Sequence, residues 1–418
     1  MLLQFTVENF KSFRNKTILS LEGSSDKNLE GNYSFVGKEK LLKSAVVFGA
    51  NASGKSNIFL ALTAAILAVR QSNQRQINDT LDYIVPFKFD PEAMKAPSSF
   101  EFVFIGHDGK KYVYGFSATN ARVVREYLYA YNSSKATTIF ERENDEYQFT
   151  SPERKREMLP ITERNTQNKL FLATATQWNC SSTKEPYLWL DNGINTYSPD
   201  FNQLLNQSAP YFEADHDHSL KDFTVNILHE ADINIDDYEF ESKELNRLPH
   251  EIRSLASTVP FANKEVRVET VHTIQGNGTE QPYGLSLWEE SQGTRNLFLF
   301  APFLKRAFEN GETICIDEFD MSIHPILVEY LIGLFHNPSI NKMNAQLIIS
   351  THAVSLLSLS ILRRDQIYFV EKDRATGVSE MYSLDEFSPR KQENIRKAYL
   401  LGRYGSIPNI SMEADLWG

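Results

Sequence analysis

The chain has 418 residues, 41% of them apolar and 23% charged, enough for two or three packed units and too apolar for wholesale disorder. Its formal net charge of −11, with 43 basic against 54 acidic side chains, excludes an indiscriminate coat of nucleic acid and leaves only a local basic groove open. The two cysteines, Cys180 and Cys315, the second within an apolar run, exclude a disulfide framework and fit a reducing cytoplasm.

The opening LLQFTVENFKSF alternates apolar and polar residues as a half-buried strand does, with no export signal ahead of it. A turn at Arg14-Asn15-Lys16 leads to a second strand, Thr17 to Leu21. Ala45-Val46-Val47-Phe48 reads as a buried strand, and Ser56 to about Arg70 as a helix. The longest apolar stretch, Ile58 to Val69, is too short to cross a bilayer, so no membrane span is expected. Gln71 to Thr80 is polar. From Phe87 to Tyr129 short strands follow, with FEFVFIG and KYVYGFSA predicted to form a hairpin about His107-Asp108-Gly109. Residues 131–165 are polar with weak strand signals, 168–260 are largely helical and irregular without sustained heptads, and Lys264 to Gln275 alternates again. Asn296 to Phe308 reads as a helix despite Pro302.

Between the first buried strand and its helix lies GANASGKS, Gly49 to Ser56, a complete G-x-x-x-x-G-K-[ST] phosphate loop in the strand–loop–helix context that it needs. Gly49 and Gly54 let backbone N–H groups turn inward, Lys55 reaches the β- and γ-phosphates, and Ser56 ligates Mg²⁺. Asn51, Ser53 and Asn57 complete the predicted nucleotide contacts. Thr313-Ile314-Cys315-Ile316-Asp317-Glu318 has the form of a Walker B strand, with Asp317 on Mg²⁺ and Glu318 orienting or deprotonating the attacking water. Gln346 to Ser350 is another apolar strand, ending near His352, whose imidazole could sense the γ-phosphate. The spacing suits a strand adjacent to that of Asp317. Glu290-Ser291-Gln292-Gly293-Thr294-Arg295 precedes a helix, so a serine cap and a close-approach glycine could grip an anion there.

The order of these four motifs resembles the ATP-binding-cassette class and its RecF/SMC-like branch, as do Asn9-Phe10-Lys11-Ser12-Phe13 and the long gap between Ser56 and Ser291. VENFKSF, PFKFD with the YVYGF hairpin, ESQGTR, DEFDMSIHP with ISTHA, and the tail KAYLLGRYGSIP resemble stand-alone ATPases of the RloA/AbiL type. Those belong to bacterial abortive-infection and phage-defence systems, with relatives in retron and PARIS-like systems. The resemblance implies ATP held between two protomers, with Lys55, Ser56, Asp317, Glu318 and His352 from one and Ser291 and Gly293 from the other. It also makes Gln177, in Thr176-Gln177-Trp178, a Q-loop candidate. Cassette transporters carry an aspartate where His324 stands here, which leaves Asp320 or His324 for the contact across the interface. The stretch after His352 lacks the carboxylate cluster of a Toprim nuclease.

The fold expected is α/β: an ABC-type P-loop ATPase head with a mixed sheet, interrupted by an inserted β plus helical lobe. Its halves are 1–85 and 281–418 and the lobe is 86–280. The activity expected is Mg²⁺-dependent ATP hydrolysis in a homodimer or higher oligomer, cytoplasmic and without a membrane. The chain would serve as the sensor of an antiviral system that controls a separately encoded nuclease or toxin. The alternative is a RecF/SMC-like ATPase of DNA repair or chromosome organisation, with nucleic acid as its partner. His272 reads as a satisfied sheet residue, and Arg403 and Tyr404 as partner contacts if exposed.

Overall fold

The computed structural model describes residues 1–131, 135–198, 200–244, 264–276, 279–321, 323–390 and 392–408. The part of the stretch 168–260 beyond residue 244 therefore lies outside the described residues. In chain order, β1 (Leu2–Glu8) and β2 (Thr17–Ser20) pair antiparallel, and β3 (Tyr33–Val36) and β4 (Glu39–Leu42) form a small hairpin. The fully buried β5 (Ser44–Gly49) leads into α1 (Lys55–Arg70). Then come β6 (Ser98–Ile105), β7 (Lys111–Ala118), β8 (Val123–Tyr131), β9 (Ala136–Glu143) and β10 (Glu146–Gln148). The helices α2 (Pro152–Thr162), α3 (Phe171–Gln177) and α4 (Ser181–Leu188) precede β11 (Ile194–Tyr197). They are followed by α5 (Phe201–Glu213), α6 (Ser219–Glu230), β12 (Asp237–Glu244), β13 (Lys264–Gly276) and β14 (Thr279–Ser286). Last are α7 (Gln292–Asn310), β15 (Thr313–Ile316), α8 (Pro325–His336), β16 (Gln346–Ser350), β17 (Ile367–Lys372), β18 (Ser379–Ser383) and α9 (Ile395–Leu400).

Among the described residues the strands make two large sheets. One is antiparallel, in the order β10-β9-β8-β7-β6-β1-β2. The other runs β11-β15-β16-β5-β17-β18 and is parallel except at the β17–β18 edge. This is the mixed sheet that the sequence led one to expect. Its parallel strands β5, β15 and β16 are buried along their whole length and mainly apolar, with polar residues confined to their ends, as strands covered on both faces must be. Helix α1 packs Ile58, Leu62, Ala65 and Val69 into the core between the two sheets, and α7 packs Leu297, Phe300, Leu304 and Ala307 on the other side of the parallel sheet.

The predicted hairpin is β6–β7, and the predicted helix over 296–308 is α7, extended to Gln292–Asn310 with Pro302 inside it. Hydrogen bonding crosses the expected division of the chain: β6 pairs with β1, and β11 with β15. Residues 135–165 are more regular than their polarity suggests. Arg142 of β9 and Glu126 of β8, both fully buried, lie 3.6 Å apart. The Glu126 carboxylate accepts the N–H groups of Phe171 and Leu172 at 2.6 and 2.9 Å, fastening the start of α3 to the antiparallel sheet. Desolvation pushes this carboxyl above its ordinary range, against the pull of Arg142 and those N–H groups.

Candidate nucleotide site

Strand β5 ends at Gly49, and the next residues wrap into a loop with Ala52 and Gly54 at φ +62° and +113°. Left-handed residues in such a turn aim successive N–H groups at one point, a nest for an anion, and the free N–H groups of the first turn of α1 add to it. Tertiary packing requires both glycines. A Cβ on Gly49 would lie 2.5 Å from the Val370 carbonyl of β17, and one on Gly54 would lie 2.4 Å from Ser379 Oγ and 2.8 Å from Ser12 Oγ.

Ser12 and Ser379 brace the loop from beneath. Ser379 Oγ–H donates to Ser53 O at 2.6 Å, the two hydroxyls are 2.8 Å apart, and Asn57 Nδ2 donates to Ser12 Oγ at 2.6 Å. Ser379 N also donates to Ser12 O at 2.8 Å. The NFKSF segment is shaped for this, with Asn9 and Lys11 at φ +52° and +50° and the Asn9 amide bonded to the carbonyls of Ala93 and Ala96. Asn57 is thus a brace of the loop. Asn51 is exposed at its rim, and Ser53 is buried with its hydroxyl unpartnered.

Lys55 is buried, and its ammonium donates to Gly49 O at 2.8 Å and Ala50 O at 3.1 Å. Desolvation pulls its pKa below the ordinary lysine value, while Asp317, Glu318 and Asp320 act in the opposite direction. These carboxylates are close because β15 and β5 flank β16 in one parallel sheet, so their carboxyl ends share an edge. Ser350, at the end of β16, bridges them: its hydroxyl donates to Asp317 Oδ1 and accepts from Glu318 N at 2.8 Å. Glu318, exposed and at φ +50°, projects beyond the strand. His352 is exposed two residues past β16, and its N–H donates to Asp320 Oδ2 at 3.0 Å. Asp320 therefore holds the histidine loop within this protomer. His324 is exposed and caps α8 through Ile326 N.

The donor set fits Mg·ATP. The loop's N–H groups, Lys55 and the unpartnered Ser53 hydroxyl suit phosphate oxygens. Ser56 and Asp317 are oxygen ligands of the kind Mg²⁺ takes when it keeps several waters and phosphate oxygens. Among the described residues no group of three or more His, Cys, Asp or Glu could hold a metal by itself.

Three expected residues stand apart. Gln177 is exposed at the end of α3, a helix anchored through Leu170 N on Ser72 Oγ and Asn73 on Ala173 O, just past the end of α1. The phosphate loop is at the other end of this 16-residue helix, about 24 Å away along its axis. The buried Glu126 clamp draws α3 there. Residues that sequence reasoning missed are the braces of the site: Ser379 beneath the phosphate loop and Ser350 between Asp317 and Glu318. Ser291 and Gly293 lie at the start of α7. Ser291 is exposed and caps α7, its Oγ accepting from Thr294 N at 3.1 Å.

The tail differs from expectation. Tyr404 is buried, stacked on Phe369 and donating to Glu393 at 2.7 Å, so it offers no partner contact. Arg403 is paired with the same carboxylate and remains exposed, as the expectation for it required.

No curated protein matches the chain. Solved structures similar to it include the SMC head domain from Thermotoga maritima, 13% identical, with a TM-score of 0.39, covering 91% of this chain and 98% of that one. The ATP-bound recombination mediator RecF is 14% identical over 91% and 97% of the two chains, TM-score 0.35. CbiO1 from Clostridium perfringens, part of the ABC transporter complex cbiONQ, is 12% identical over 97% and 98%, TM-score 0.32. Residues 44–358, from the first residue of β5 to beyond His352, match the family described as "AAA domain, putative AbiEii toxin, Type IV TA system", and the chain is a P-loop ATPase belonging to that family.

Proposed function

We propose that this ATPase hydrolyses Mg·ATP between two copies of the chain and serves as the sensor of an antiviral defence system, governing a separate effector nuclease or toxin. The observation that carries the catalytic part is the convergence of Lys55, Asp317 and Glu318 at one sheet edge, with Ser350 holding the last two. Bound Mg²⁺ would neutralise phosphate charge. The chain's own groups do the rest: Lys55 and the loop N–H groups grip the phosphates, and the exposed Glu318 orients a water and takes its proton.

Ser291, exposed, and Gly293, half-buried, at the start of a 19-residue helix, supply the second half of the site to a partner's nucleotide. Closure of two such faces excludes water and places a helix N-terminus against the developing charge. The defence role is supported by the family's description, which names a toxin and a toxin–antitoxin system. No described helix is long and apolar enough to cross a membrane.

The test is a pull-down of the Glu318→Gln protein with ATP from its native host, with and without phage infection. A co-purifying nuclease or toxin that leaves on infection is the expected result. Recovery of DNA and repair proteins in its place would move the assignment to a RecF-like role.

A further inference from the structure

We propose that Thr270 and His272 of β13 are positioning residues for the signature serine, acting through Glu290. The inference rests on the reading of Ser291 as a contributor to a partner's site. Strand β13 is the centre of the three-stranded sheet, bonded to β12 on one side and β14 on the other. Two residues apart, Thr270 and His272 share one face of it. Both reach a single oxygen: the Thr270 hydroxyl donates to Glu290 Oε1 at 2.6 Å, and His272 Nε2–H donates to it at 2.7 Å. A carboxylate only accepts, which places the imidazole proton on Nε2. Thr270 is fully buried and the Glu290 side chain is 10% exposed, so these bonds are shielded from water and correspondingly firm.

Glu290 immediately precedes Ser291. The segment 287–290 is thereby tied to β13 at both ends, because Leu287 N donates to Val268 O at 2.9 Å. The sheet is itself fixed against α7, with the Tyr238 ring of β12 edge-on to Phe298 at 4.9 Å and Phe212 of α5 stacked on both Phe240 of β12 and Phe298. Core packing therefore sets the direction of α7, and the Glu290 clamp sets where its first residues begin.

The clamp has a second consequence. A free carboxylate beside the start of α7 would fold onto the same N–H groups that an anion needs, since a helix N-terminus favours negative charge of any source. Held on β13, Glu290 leaves those groups to the partner's nucleotide. Losing two hydrogen bonds to a charged group frees it, and a shift of about 1 Å in a transition-state contact is enough to cost up to about a hundredfold in rate.

The experiment uses the full chain. His272→Ala and Thr270→Val are each expected to bind a fluorescent ATP analogue within twofold of wild type at low protein concentration, and to hydrolyse ATP about tenfold more slowly at saturation. His272→Gln, whose amide can donate to the same oxygen, should recover most of the rate. Subunit mixing then separates the two layers of the argument. Ser291→Arg chains mixed with Glu318→Gln chains should regain hydrolysis, because one site of the mixed dimer has both halves intact. His272→Ala or Thr270→Val mixed with Glu318→Gln should regain it likewise.

Failure of the Ser291→Arg mixture would remove the partner-site reading itself. Success there, with no recovery for His272→Ala or Thr270→Val, would overturn the positioning role alone. So would wild-type turnover in both variants. Were His272→Ala to unfold, Thr270→Val, nearly the same shape and lacking only the hydroxyl, decides the matter by the same readings.

Discussion

Substitution of Gly54 by alanine tests the braced phosphate loop most directly. Two costs are legible in the structure. At φ +113° an L-residue is strained, at about 1–2 kcal/mol. The new methyl would also stand 2.4 Å from Ser379 Oγ and 2.8 Å from Ser12 Oγ, so both side chains must turn away. That breaks the 2.6 Å bond from Ser379 to Ser53 O and the 2.6 Å bond from Asn57 to Ser12, at about 1 kcal/mol each. Together these give about 4 kcal/mol against the binding form of the loop, or a loss of about 10³-fold in ATP affinity. Calorimetric titration of ATP measures it. Ser12→Ala combined with Ser379→Ala loses the same two bonds without the backbone strain, so that double variant should bind ATP more tightly than Gly54→Ala. Affinity within twofold of wild type for Gly54→Ala would refute the account of the loop.

Ser350→Ala should leave ATP binding intact and slow hydrolysis by ten- to a hundredfold, because Asp317 and Glu318 lose their shared hydrogen-bond partner; steady-state phosphate release reads this, and an unchanged rate sinks it. Glu126→Gln leaves the fully buried Arg142 without its counter-charge and should cost about 3–5 kcal/mol in denaturant unfolding; a loss below 1 kcal/mol would show that the pair is not an anchor. His336 is a pH-sensitive group. Desolvation lowers its pKa from 6.5 to about 3, and the ring bonds Ser44 Oγ at 2.9 Å. The unfolded chain takes up a proton below pH 6.5 that the folded one refuses, so its contribution is complete above that pH and is lost progressively as pH falls towards 3. By pH 5 the loss is about 2 kcal/mol. His336→Gln should flatten this part of the stability–pH curve, and an unchanged curve would reassign the acid sensitivity.

The sequence by itself determined the chemistry-bearing elements, because each is local. A phosphate loop is a short run of backbone between a strand and a helix, and GANASGKS states it in consecutive residues. The apolar runs ending in Asp317-Glu318 and near His352 likewise declare buried parallel strands by composition alone, as does the β6–β7 hairpin by alternation about its turn. Only the tertiary structure decided what surrounds them. The pairing of β17 with β5, and with it the close approach that forbids a side chain at Gly49, brings together strands more than 300 positions apart. The hydroxyls of Ser12 and Ser379 beneath the loop are as distant in sequence. Gln177 became a site candidate through the family resemblance, yet a buried glutamate on β8 holds its helix past the far end of α1. His272 carried no local signal, since its role depends on a carboxylate 18 positions away across a strand turn. Local pattern fixes which groups can do chemistry; long-range hydrogen bonds and packing fix which of them meet.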